Sequence, residues 1–254
     1  MAQLNVHEHG DTTAPPLVLV HGLTDDGTCW PDAVARWESD FRILAVDQRG
    51  HGRSPRFTDE ELGRVPEVLR DDVADVLREL GRPALVVGHS LGGLVAARVA
   101  QAYPELVRAL VLEDPAKPAP HWEAAEREFA RQQLAFVETV TEDPDGEVTR
   151  MLQETPWTDT ELKPWAESKA RVDREYLRRG LYLGDTAWEE MFTGLSVPTL
   201  ILVPVNGEMA PDPAKIHNDL VRVVEVPGAG HCIRRDRPEA FYELVEAFLH
   251  LYVG

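Results

Sequence analysis

The chain has 254 residues, which suits one α/β domain with an insertion better than two independent domains. Hydrophobic residues make up 43% and charged residues 28%, so a sizeable core can be buried and long-range disorder is excluded. With 26 Lys plus Arg against 44 Asp plus Glu, the net charge is −18, a sign that disfavours nucleic acid and anionic membrane as partners.

In chain order, residues 4–7 predict a weak alternating strand and 17–20 a buried one. A short helix is expected over 31–38 and a strand over 43–46. Residues 66–80 carry an amphipathic pattern that stops at Gly81. A strand over 84–87, a helix over 91–102 and a strand over 109–112 follow. From 115 to 195 the rhythm breaks. That stretch has helical patterns over 122–139 and 161–178, divided by breakers at Pro144, Gly146, Pro156, Gly180 and Gly184. It also holds Trp122, Trp157, Trp165, Trp188, Tyr176 and Tyr182, expected mostly to pack a small core of their own, with one or two lining a pocket. Strands over 199–203 and 221–226 and a helix over 238–251 complete the chain. Continuous apolar strands alternating with helices predict a mostly parallel, doubly wound α/β sheet. The expected core is 1–114 plus 196–254, with 115–195 inserted as a helical lid.

The polar N-terminus lacks the apolar run of a signal peptide, and no stretch reaches the length of a transmembrane helix. Cys29 and Cys232 form no metal-ligand spacing and no disulfide framework. The expectation is a cytoplasmic protein with no metal and no cofactor.

Gly88-His89-Ser90-Leu91-Gly92 sits where a strand ends and a helix begins. A sharp turn there exposes the Ser90 hydroxyl, and small residues at 88 and 92 allow neighbouring backbone to approach. The helix N-terminus behind Ser90 favours developing negative charge. Together with His21-Gly22, the run Asp47-Gln48-Arg49-Gly50-His51-Gly52-Arg53-Ser54 and Gly228-Ala229-Gly230-His231, this motif resembles the α/β-hydrolase superfamily over nearly the whole chain. The likeness is to small bacterial serine esterases, lactonases and cofactor-free haloperoxidase-like enzymes with a helical lid.

The resemblance implies Ser90 as nucleophile, His231 as its base, and the Leu23 and Leu91 N–H groups as the oxyanion hole. Asp25 and Asp26 are then expected to turn away from the oxyanion, capping the helix that starts near Trp30. It also implies loop hydrogen bonding for His21 and His51, and support of the elbow by His89. His7, His9, His121, His217 and His250 default to surface or packing roles. The acid that orients His231 departs from the commonest pattern, because Gly207 stands where an aspartate is usual. A subset of the superfamily takes its acid from the end of the preceding strand, which here points to Asp114. Glu208 and Glu113 remain as alternatives. The expected activity is cleavage of a partly hydrophobic carboxylic ester or lactone through an acyl-enzyme. Alternatives are a C–C bond hydrolase, an aminopeptidase, a cofactor-free haloperoxidase and a low-turnover ligand-binding member. Serine at position 90 argues against dehalogenase or epoxide-hydrolase chemistry, which uses an aspartate nucleophile in this fold.

Overall fold

The computed structural model describes residues 3–119 and 123–253. The expectations on His121 and Trp122 lie outside these residues. Among the described residues, seven strands form one sheet: β1 (Val6–His9), β2 (Pro16–Val20), β3 (Arg42–Val46), β4 (Ala84–His89), β5 (Val107–Glu113), β6 (Thr199–Pro204) and β7 (Val221–Val226). Their order is β1-β3-β2-β4-β5-β6-β7. Only β1 runs antiparallel, pairing with β3; every other pair is parallel. Strands β2, β4 and β6 are buried at every residue, as expected of apolar runs covered on both faces.

Helices α1 (Pro31–Trp37), α2 (Val65–Glu79) and α3 (Leu91–Ala102) connect the first five strands. Two apolar layers result. Alternate strand residues such as Val18, Val20, Val86 and Leu110 pack toward α2 and α3, whereas Leu17, Leu19, Val87 and Val111 face Trp30, Trp37, Phe241 and Tyr242.

Between β5 and β6 lie α4 (Glu123–Glu142), α5 (Pro144–Glu154), α6 (Asp159–Lys169), α7 (Arg174–Arg179) and α8 (Trp188–Thr193). The single helical pattern expected over 161–178 is two helices. Asp173 interrupts it, caps α7 by accepting the Glu175 N–H at 2.9 Å, and donates its own N–H to Gly50 at 2.7 Å. Pro144 and Gly146, read as breakers, begin α5: proline fits a first helical position, and Asp143 caps the helix by accepting the Gly146 N–H. The insertion is only partly a layer of its own. Val140, Val148, Leu162, Trp165 and Ala166 form a small core against Trp157, but Tyr176, Leu177, Trp188 and Phe192 join the main core. After β7, α9 (Ile233–Asp236) and α10 (Pro238–Leu249) close the fold. Among the described residues no helix is long and apolar enough to cross a membrane.

Candidate active site

Among the described residues, four non-glycine residues have positive φ: Thr24 (67°), Ser90 (50°), Asp114 (36°) and Asn206 (58°). Each follows the carboxyl end of a sheet strand, β2, β4, β5 and β6 respectively. Such conformations cost about 1–3 kcal/mol each and cluster where function requires them. The carboxyl edge of a parallel sheet is also where α/β folds place their ligands.

Ser90 sits between β4 and α3 as the N-cap residue of α3. Its N–H donates to Glu113 O at 2.9 Å, and its own carbonyl accepts from Leu94 and Ala116. The glycines around it are needed by backbone proximity. A Cβ on Gly92 would overlap the Val20 carbonyl, and one on Gly88 would fall 2.5 Å from the Gly92 carbonyl oxygen. A Cβ on Gly93 would press on Pro115 at 2.9 Å.

His231 lies in the loop after β7, and its Nδ1–H donates to Asp114 Oδ2 at 2.6 Å. With that proton on Nδ1, Nε2 is the free acceptor. Ser90 and His231 line the same cavity, but no Ser90–His231 hydrogen bond forms among the described residues. Such contacts often tighten only when substrate is bound. Asp114 is buried and its N–H donates to Leu202 O at 2.8 Å. The neighbouring Glu113 faces elsewhere: it accepts the Arg234 N–H at 2.7 Å and pairs with Arg234 Nη1 at 3.1 Å. Burial pushes the Glu113 carboxyl up, with Arg234 opposing the shift. Glu208 is exposed in the loop after β6 and makes no bond to His231 among the described residues. The turn there, closed by Gly207 N–H to Pro204 O at 3.0 Å, therefore presents no acid to the imidazole.

Leu23 and Leu91 both line the cavity, and neither N–H donates to a backbone carbonyl among the described residues. Asp25 closes the Leu23 turn by donating its N–H to Gly22 O at 3.3 Å. Its carboxylate pairs with Lys169 Nζ at 2.6 Å and Arg235 Nη2 at 3.1 Å. Burial opposes that charge, but Lys169 and Arg235 outweigh it and hold the carboxyl well below the usual range. Asp26 pairs with Arg171 at 2.7 Å and accepts from Thr28. Neither aspartate caps α1, whose N-cap position is Trp30 without a side-chain hydrogen bond. The expected capping role is thus replaced by ion pairing.

His89 donates Nε2–H to the His231 carbonyl at 3.2 Å, and the two rings lie 4.8 Å apart. Burial, and then His231, hold its pKa well below the ordinary value, so it is a neutral brace. His21 donates Nδ1–H to Gly22 O at 2.8 Å and accepts the Gln48 N–H at 3.0 Å, tying the loops after β2 and β3 together. His7 is more than a surface residue, since it pairs with Asp47 at 3.0 Å.

The cavity has a volume of about 610 Å³. Phe129, Phe136, Met151, Trp157, Trp165 and Leu183 are among its apolar lining, and Lys117, Arg150 and Arg235 are its cations. Arg235 is held by Asp25 and Glu161, and Arg150 by Glu147 and Glu154, whereas Lys117 is exposed and forms no ion pair among the described residues. Cys232 also lines it; burial pushes this thiol up to about 12. Among the described residues no cluster of three or more His, Cys, Asp or Glu side chains is arranged to hold a metal ion.

Sequence reasoning missed Lys169, Arg234 and Arg235. The only signal was the Asp25-Asp26 pair in a loop that must be buried, which requires cations nearby.

Residues 17–244 match the model of the alpha/beta hydrolase family. A 2-(acetamidomethylene)succinate hydrolase of Mesorhizobium japonicum is 38% identical over 112 residues, 44% of this chain and 38% of that protein. The chain therefore aligns to well under half of that relative's length. An sn-1-specific diacylglycerol lipase of Mus musculus is 27% identical over 94% of this chain and 82% of its own. Among solved structures, E-2-(acetamidomethylene)succinate hydrolase superposes with a TM-score of 0.75 at 24% identity, covering 97% of this chain and 95% of that one. The enol-lactonase of Burkholderia xenovorans LB400 superposes with a TM-score of 0.73 at 24% identity, covering 97% and 96%. At these identities the superpositions establish the fold.

Proposed function

Starting from a chain that belongs to the alpha/beta hydrolase family, we propose that it is a serine hydrolase that cleaves a carboxylic ester or lactone through an acyl-enzyme on Ser90. The observation that carries this reading is the 2.6 Å hydrogen bond from His231 to Asp114 beside the cavity that Ser90 lines. Asp114 fixes the Nδ1–H tautomer and stabilises the imidazolium that forms when Nε2 takes the Ser90 proton. Ser90 Oγ bonds to the substrate carbonyl carbon, and the Leu23 and Leu91 N–H groups receive the negative oxygen. His231 returns the proton to the leaving alcohol. Water, deprotonated in turn by His231, then releases the acid and restores Ser90. The helices between β5 and β6 serve as a lid, and their aromatic side chains favour an apolar portion of the substrate.

A fluorophosphonate probe should label wild type and leave folded Ser90→Ala unlabelled, and Ser90→Ala should lose hydrolysis of a short-chain aryl ester. Retained turnover in Ser90→Ala would overturn the assignment of Ser90. Failure of folded wild type to label would favour a ligand-binding member of the family.

Lys117 favours a narrower substrate class, because it is the cavity's one cation without a carboxylate partner among the described residues. A relative named as acting on a succinate derivative points the same way. On this second reading the substrate carries a carboxylate away from the scissile bond. Esters with and without a terminal carboxylate, compared in wild type and Lys117→Gln, test it: KM should rise about tenfold for the acidic ester alone. Equal effects on both esters would sink this reading.

A further inference from the structure

Of the four positive-φ residues, three have evident local reasons. Ser90 is the elbow, Asp114 turns toward His231 from the end of β5, and Asn206 is a residue type that tolerates the left-handed region. Thr24 is β-branched, the kind of side chain for which that region is least favourable. It immediately follows Leu23, so its φ sets the orientation of the peptide that leaves the oxyanion loop.

What holds Thr24 there comes from the insertion. The Thr24 carbonyl accepts from Lys169 Nζ at 3.3 Å and lies 3.1 Å from Ser168 Oγ, both at the C-terminal end of α6; the single Ser168 hydroxyl proton has a closer acceptor in the Trp165 carbonyl at 2.7 Å. Lys169 also donates to Asp25 Oδ1 at 2.6 Å and to Ser168 Oγ at 3.1 Å. All three ammonium protons thus have acceptors, and the group lies 5.0 Å from the Trp165 ring centre. The lysine side chain is 0% exposed. Burying an ammonium costs several kcal/mol before its partners are counted, and an apolar residue would fill the space without that cost. The charge is therefore hard to explain as packing, but its bonds end on the Thr24 carbonyl, on Asp25 and on Ser168 Oγ, which accepts from the ammonium beside that carbonyl. Asp25 is gripped from the other side by Arg235, three residues beyond Cys232 in α9. The oxyanion loop is thereby suspended between the insertion and the segment that carries His231.

We propose that Lys169 is a positioning residue: through Thr24 O and Asp25 it fixes the left-handed turn that aims the Leu23 N–H at the oxyanion. The inference rests on the acyl-enzyme reading above. Lys169 itself does not line the cavity, so its effect reaches substrate only through the loop.

The test compares wild type, Lys169→Met, Lys169→Arg and Ser168→Ala, with Ser90→Ala as the control for the reading itself. Three readouts are needed: kcat and KM on an aryl ester, affinity for an aryl trifluoromethyl ketone whose serine adduct carries an oxyanion, and affinity for an uncharged amide analogue. Lys169→Met should lower kcat about 10–100-fold with KM within about threefold. Trifluoromethyl ketone affinity should fall by the same factor while amide affinity holds. Lys169→Arg should recover part of the loss, and Ser168→Ala should show the same selective pattern at about 2–5-fold. The midpoint of the pH–rate profile should stay at its wild-type position in every variant. A folded Lys169→Met enzyme with wild-type kcat, or equal loss of ketone and amide binding, overturns the proposal. Should Lys169→Met not fold, the selectivity of Ser168→Ala decides by the same two criteria. Undiminished turnover by Ser90→Ala would instead show that the acyl-enzyme reading has failed, a result separate from any of these.

Discussion

The Ser90 turn and the Leu23–Asp25 loop line one cavity, yet different physics holds each in shape. The elbow is steric. Gly88, Gly92 and Gly93 leave no room for a Cβ because the Val20 carbonyl, the Gly92 carbonyl and Pro115 occupy it. The Leu23–Asp25 loop is electrostatic. Asp25 is held by Lys169 and Arg235, and the same α9 segment carries Arg234 to Glu113 beside Asp114. Steric shaping is local and tolerates no substitution, whereas charge-based shaping joins distant segments and depends on every partner staying ionised.

The sharpest way to separate the two devices is the neighbouring pair Asp114 and Glu113. Asp114→Asn should cut kcat about 10⁴-fold with little change in unfolding free energy, because it disturbs the tautomer rather than the fold. Glu208→Gln should leave both unchanged within about twofold, and a crippled Glu208→Gln enzyme would move the acid elsewhere. Gly92→Ala tests the steric half, and chemical denaturation should show a loss of about 4 kcal/mol or a failure to fold. Glu113→Gln tests the electrostatic half. Breaking that buried pair should cost about 3 kcal/mol of stability, with kcat of the folded enzyme within about threefold of wild type. A large kcat loss without destabilisation would make Glu113, not Asp114, the partner that matters.

The smallest expected effect concerns His7. Its hydrogen bond to Asp47 raises the imidazole pKa above 6.5, with burial opposing. Its stabilising contribution is therefore full below about pH 6.5 and is lost as pH rises through the higher folded value. Asp47, held well below the usual carboxylate range by His7 and the Arg53 and Gly27 N–H groups against the opposing effect of burial, keeps its own contribution until strongly acidic pH. Urea titrations should find His7→Gln about 1 kcal/mol less stable than wild type near pH 6, with the gap narrowing toward pH 9. A pH-independent gap would mean that packing, not charge, is what His7 supplies.

These two devices also explain what could be read in advance. The central strands β2 to β6 were visible as short apolar runs and α3 by its position after the glycine turn, because such signals lie within a dozen residues. Helix breaks in the insertion were misjudged where a local rule had two meanings: Pro144 starts a helix as readily as it stops one. The ionic half of the site was invisible. Asp25 meets Lys169 and Arg235 at separations of 144 and 210 residues, and no spacing rule spans such distances. The positive φ of Thr24 was equally hidden, since nothing about threonine announces a left-handed turn.

Cys232 shares the cavity with Ser90, so an electrophile that enters meets a hydroxyl and a sulfhydryl within one chamber. Desolvation keeps that sulfur protonated at neutral pH, with its pKa pushed up to about 12, and the thiol form is a poor nucleophile. Maleimides and haloacetamides should therefore spare the chamber while carbamates and phosphonates modify it. That chemoselectivity would let a reporter dye be attached through an engineered surface cysteine without blocking turnover.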